Sequence, residues 1–272
     1  MLKQAIIPLA GLGTRLLPLS SVSPKELLPI NGKSNLEHIL DECINAGIKE
    51  FIFIISKKKE SIKKYFFNDK FYNSILAKKK DKRISEILKK LKKYQKMIKF
   101  VYQNKPKGTG DAILKCKHLI KHSHFLMLFP DDLIIKKNCT KEMIALYNKK
   151  KGSIIATKTV SKDEVSRYGI LSLKNKKKNY FTIKDVIEKP SLKTAPSNYA
   201  IIGRYILPKI IISKLKKLKP GKGGEIHITD AIKKLIEEGE KFYGNIFKGK
   251  YLDCGTINGY ISSGIQISKE KL

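Results

Sequence analysis

No stretch of this chain approaches the ~20 consecutive apolar residues that a bilayer span requires, so no membrane segment is expected. Cysteine is thin and scattered. Cys43, Cys116, Cys139 and Cys254 form no CxxC pair, which argues against a disulfide frame or a zinc ribbon and for reduced thiols in a cytoplasm. The opening MLKQAIIPLA also lacks the basic-then-apolar order of a secretion signal. Acidic residues number 24 against 57 basic ones, a formal charge of +33 that on its face suggests nucleic acid or an anionic surface. Yet arginine is scarce: Arg15, Arg83, Arg167 and Arg204 stand beside 53 lysines. Phosphate and base recognition favours the planar arginine fork, which lysine cannot imitate. With Ile and Asn also abundant, the lysine excess reads as an AT-rich codon background on solvated faces, and no nucleic-acid partner is expected.

What is present is a series of continuous apolar runs: Ala5–Leu9, Phe51–Ile55, Ile98–Tyr102, Phe125–Phe129, Ser153–Thr159 and Tyr199–Leu207. Unbroken runs suit strands covered on both faces. Helical patterns lie between several of them. SNLEHILDECINAG puts Leu36, Ile39, Leu40 and Cys43 on one face, with Ser34 as cap and Gly47 as stop. GTGDAILKCKHLI starts a second helix, and Ser56–Ile98 reads as peripheral Lys-rich helix. A hairpin is expected with its turn at Lys174–Asn179, and a glycine-rich loop runs into a helix capped near Thr229 or Asp230. Alternating β and α with short links predicts an α/β fold with a mainly parallel central sheet, in one domain over residues 1–272.

The segment PLAGLGTRLLPLSSVSPKELLP, Pro8–Pro29, places two glycines after the first strand. The dinucleotide fingerprint needs a third glycine where Leu16 stands, and a P-loop needs Gly-x4-Gly-Lys-Ser/Thr, which is absent. The follow-on is more informative. Arg15, then Lys25 and Glu26 on a segment braced by Pro24 and Pro29, make a plausible clamp for a chain of phosphates.

These residues resemble the sugar-1-phosphate nucleotidylyltransferases, most closely the bacterial members that use UTP and glucose 1-phosphate. The resemblance continues in order through QNKPKGTGDAIL, LFPDD, RYGI, VIEKP, APSNYAIIGRYIL, GGEIHITDAI and LDCGT, over essentially the whole chain. It implies a Rossmann-like nucleotidyltransferase fold with a mixed central sheet and a strand-rich sugar-binding extension. The nucleotide-binding half would be residues 1–135, the sugar-binding half 136–272. It further implies transfer of a uridylyl group to glucose 1-phosphate with Mg²⁺, in a cytoplasmic homo-oligomer, dimer or tetramer. Carried onto this chain, Ala10, Gly11 and Gly13 wrap the nucleotide. Arg15 and Lys25 hold the triphosphate, Glu26 lies near the uracil, and Gln103 and Gly108 read its edge. Asp131 and Asp253 bind the metal, Glu188 accepts from glucose hydroxyls, and Lys189 grips the sugar phosphate. Gly169 and Gly203 let backbone approach the hexose. Two departures stand out: Lys33-Ser34 replaces the family's Lys-Pro, and Asp132 occupies an often apolar position. Competing readings are the same chemistry with dTTP or another nucleotide or sugar, a basic nucleic-acid binder, and a non-catalytic sugar-nucleotide sensor. The sensor would be expected to lack one of Lys25, Asp131, Lys189 or Asp253. His118, His122 and His124 read as solvated surface, and Cys254 as a packing thiol.

Overall fold

Successive side chains of a strand point to opposite faces, so a strand buried on both sides must be apolar at every position. The first two long strands show this directly. Ala5, Ile7, Phe51, Phe53 and Ile55 enter one core, while Ile6, Ile52 and Ile54 enter another on the far side of the sheet. The structure, a computed structural model, describes residues 2–269.

In chain order the strands are β1 (Gln4–Pro8), β2 (Pro29–Ile30), β3 (Lys33–Ser34), β4 (Glu50–Ile55), β5 (Ile98–Tyr102), β6 (His124–Leu128), β7 (Asp132–Ile135), β8 (Ser153–Thr159), β9 (Gly169–Lys174), β10 (Tyr180–Glu188), β11 (Tyr199–Pro208), β12 (Phe242–Ile246) and β13 (Lys250–Asp253). The helices are α1 (Asn35–Asn45), α2 (Glu60–Phe67), α3 (Asp69–Lys79), α4 (Lys82–Gln95), α5 (Thr109–Cys116), α6 (Cys139–Lys150), α7 (Ile211–Lys217), α8 (Ile228–Glu237) and α9 (Ile257–Lys269).

One mixed sheet runs in the order β5-β4-β1-β6-β11-β8-β12-β10-β9, and β9 also pairs with β11. Strands β5, β4, β1 and β6 are parallel. From β11 onward the pairings are antiparallel except β8 with β12, which is the strand-rich extension. Helices α1, α2, α4 and α6 cover one face through Leu36, Leu40, Phe66, Leu91 and Met143. Helices α5, α7 and α8 cover the other through Ile113, Leu215, Ile232 and Leu235. Each such side chain contributes about 1.5–3 kcal/mol by leaving water.

Local signals agree with the elements. Ser34 caps α1 in a capping box with Glu37, so serine in place of the family's proline supplies a cap. The expected hairpin is β9–β10. Helix α8 begins two or three residues earlier than the expected cap at Thr229 or Asp230, with His227 at the cap. The physical reason is that the Thr229 hydroxyl donates to Glu188 Oε2 (3.0 Å), while the Ile228 amide donates to Thr109 Oγ1 (3.2 Å). The Lys-rich stretch forms α2, α3 and α4, and α3 buries no residue. Lys59 at its start is the exception, being buried against the site.

Candidate active site

Ligands of open α/β sheets sit at the carboxyl ends of the strands, and the loops that leave β1, β5 and β6 meet there. After β1, Gly13 takes a left-handed conformation (φ +69°), and its carbonyl accepts from the Leu16 amide (2.9 Å) and the Ser20 hydroxyl (2.8 Å). Pro24 then introduces a single 3-10 turn, Lys25–Leu27, which sends adjacent side chains apart. Lys25 donates to Asp131 Oδ2 (2.5 Å), while Glu26 turns inward to Lys59.

Two cavities adjoin at this edge and share Thr109, Phe129, Asp131 and Glu225. The smaller, about 250 Å³, is walled by Ala10, Gly11, Lys25, Glu26, Gln103, Gly108 and Asp131. The larger, about 320 Å³, is walled by Arg15, Asp131, Gly169, Glu188, Lys189, Gly203 and Asp253, together with Arg167, Tyr168, His227, Thr229 and Tyr251. Of the residues singled out in the sequence, Gly13 alone lines neither. A Cβ there would lie 3.3 Å from Ser20 Cβ and 3.6 Å from Lys25 Cδ, so it shapes the loop behind the wall.

Asp131 and Asp253, 122 positions apart in the chain, come together. A Cβ built on Gly255 would lie 2.9 Å from Asp131 Oδ2, 3.1 Å from Asp253 Oδ1 and 3.6 Å from the Arg15 guanidinium. The Cys254 amide, donating to the Asp131 carbonyl (2.7 Å), clamps the two turns. Burial works to raise the Asp131 carboxyl, but Lys25, its hydrogen bond and Arg15 overcome this and hold it below the usual range. Asp253 pairs with Arg167 (3.3 Å) and accepts from the Gly255 amide (2.8 Å). No group of three or more metal-ligating side chains occurs among the described residues. Two neighbouring carboxylates nonetheless suit a divalent ion that completes its shell with phosphate oxygens and water.

Asp132 differs from its neighbour. It accepts from the Tyr251 hydroxyl through Oδ1 (2.6 Å) and from the Gly203 amide through Oδ2 (3.1 Å). Burial and then the Asp131 charge push its carboxyl up to about 6. It therefore ties β13 to β11 with both oxygens. Gly203 lies where the β11–β8 register slips, and a Cβ there would overlap Asp132 and come within 2.7 Å of the Phe129 ring. Lys189 has a left-handed backbone (φ +44°), rare for a residue with a Cβ and held by its amide donating to the Tyr168 carbonyl (3.0 Å).

A nucleotidyl transferase family model matches residues 4–270. The chain belongs to the nucleotidyl transferase family. A UTP–glucose-1-phosphate uridylyltransferase of Mycoplasma pneumoniae is 37% identical over 97% of this chain and 91% of that protein. A UDP-glucose pyrophosphorylase solved in complex with UDP-glucose is 34% identical, covers 99% of this chain and all of that one, and superposes with a TM-score of 0.87. A UTP-bound UGPase from Acinetobacter baumannii is 30% identical over 99% of this chain and 94% of its own, with a TM-score of 0.88.

Sequence reasoning about this transferase missed Lys59, Arg167 and Tyr251. Lys59 stands in a run of three lysines, and only burial separates it from its neighbours. Arg167 could have been found. In a chain that uses lysine almost everywhere, Arg15 and Arg167 line the larger cavity, and Arg204 is buried beside it in a pair with Glu42 (2.8 Å).

Proposed function

We propose that the protein transfers a uridylyl group from UTP to α-D-glucose 1-phosphate, giving UDP-glucose and pyrophosphate. The observation that carries this reading is the junction at Asp131 of the two cavities, the smaller offering the Gln103 amide and glycine backbone beside Lys25 and Glu26, and the larger walled by opposed charges. In the smaller, Gln103 and the Gly108 backbone read the uracil with Glu26 beside it, and the backbone at Ala10 and Gly11 approaches the ribose and phosphates. Arg15 and Lys25 hold the triphosphate, Lys25 facing the charge that builds on the departing pyrophosphate. In the larger, Glu188 accepts from glucose hydroxyls and Lys189 grips the sugar phosphate, while Gly169 and Gly203 keep the wall open to the hexose. A Cβ at Gly169 would stand 3.2 Å from Glu188 Oε2, inside that space.

The sugar phosphate oxygen attacks the α-phosphorus in line as pyrophosphate leaves, with no covalent enzyme intermediate. Positioning and neutralisation of two polyanions supply the rate. Asp131 and Asp253 would hold Mg²⁺, which when bound offsets phosphate charge. We read the chain as one domain because a single sheet passes through both halves. Four free, buried cysteines support a reducing, cytoplasmic setting. The exposed stripe of Ile257, Ile261 and Ile265 on α9 supports self-association.

The test is pyrophosphate release with Mg²⁺ and glucose 1-phosphate, comparing UTP, dTTP, ATP, CTP and GTP. A strong UTP preference that Lys189→Ala abolishes is expected. Near-normal turnover by folded Lys189→Ala would remove the phosphate role given to Lys189.

A further inference from the structure

Gln103 leaves β5 with its amide hydrogen-bonded to the Ile55 carbonyl, and its side chain forms part of the wall of the smaller cavity. The side-chain nitrogen donates to Asp111 Oδ2 (2.7 Å) and to the Gly108 carbonyl (3.1 Å). An amide turned over fits the same space, so its neighbours decide which end points where. Here both neighbours are acceptors. One is a carbonyl, which cannot donate. The other is a carboxylate oxygen of Asp111, in the first turn of α5. A turned Gln103 would set its oxygen against two oxygens. The nitrogen is therefore held toward α5, and Oε1 is the atom left to offer the cavity.

Uracil and thymine carry an N–H at ring position 3, and cytosine carries a lone pair there. An oxygen presented to that position attracts the first two and repels the third. We propose that Asp111 is a positioning residue for base selection: by fixing the Gln103 amide with its oxygen toward the base, it makes the site choose an imide-bearing nucleotide over a cytidine nucleotide. The proposal deepens the nucleotide reading above and rests on it. Asp111 is buried behind Gln103 and lines neither cavity, so its replacement removes no contact with substrate.

Asp111→Asn is nearly isosteric, but its amide can face Gln103 with either end, leaving only the Gly108 carbonyl to oppose turning. The readout is kcat/KM for UTP divided by that for CTP, a ratio in which the folded fraction cancels. We expect it to fall by about 10- to 100-fold, the worth of a hydrogen bond to a charged group. A wild-type ratio in an active Asp111→Asn enzyme would overturn the role of Asp111 while leaving the nucleotide reading intact. Should that variant not fold, wild-type enzyme with 3-methyluridine triphosphate tests the same orientation. Loss of at least 10-fold against UTP is expected, and equal use would overturn the proposal. Wild-type enzyme that uses neither UTP nor dTTP would instead sink the nucleotide reading itself.

Discussion

Lys59→Met removes one ammonium while keeping most of the side-chain volume. In the folded protein that ammonium lies 2.7 and 2.9 Å from the two Glu26 oxygens, with Glu26 1% and Lys59 7% exposed. Burial pushes the Glu26 carboxyl up and the Lys59 ammonium down, each against the attraction of the other. Removing one partner of a buried pair costs about 3–5 kcal/mol. The Lys25 charge still acts on Glu26, which puts the expected loss near the lower end, about 3 kcal/mol. Removing both charges is a different matter, because no buried ion is left without a partner. Lys59→Met with Glu26→Gln should therefore recover at least about 2 kcal/mol of that loss. Urea unfolding of the four proteins at pH 7, as a double-mutant cycle, measures both quantities. The sign of the pH dependence follows from the carboxyl. Without Lys59 its folded pKa rises further above the unfolded value of about 4.3, so stability is full below that value and declines as pH rises toward the folded pKa. The deficit of Lys59→Met should accordingly shrink on acidification from pH 7 to 5. A loss under about 1 kcal/mol, or strict additivity in the cycle, would refute the reasoning.

Gly203→Ala would drive a Cβ into Asp132 and the Phe129 ring, displacing the turn that carries Asp131; a fall in kcat of about 100-fold is expected in the pyrophosphate assay. Tyr94→Phe removes a 2.8 Å hydrogen bond to Asp41, whose carboxyl burial would raise but Lys33 and Tyr94 hold below its usual value. A carboxyl lowered on folding stabilises above its unfolded pKa, so the variant should lose about 1.5 kcal/mol at pH 7, with the gap closing below about pH 3.9, measured as urea midpoints. All four cysteines are buried, and burial pushes the Cys116 and Cys254 thiols up to about 12. A thiol reagent should therefore label no cysteine rapidly until urea unfolds the chain.

Several features were legible without coordinates because their causes are local or repetitive. The apolar runs of β1 and β4 betray a sheet covered on both faces, and Ser34 marks the start of α1. Ordered short motifs located the nucleotidyl transferase and most walls of both cavities, since each motif is a loop at a strand end. Other features depended on approaches between distant segments. Lys59 is one lysine among 53 until the chain buries it against Glu26, 33 residues away. The opposite fates of Asp131 and Asp132 hang on which donors reach them: Lys25 for the first, Tyr251 and the Gly203 amide for the second. The side-chain chemistry of this transferase is written in its sequence. Which charges are desolvated, and which way Gln103 faces, were decided only when the folded chain set its partners around them.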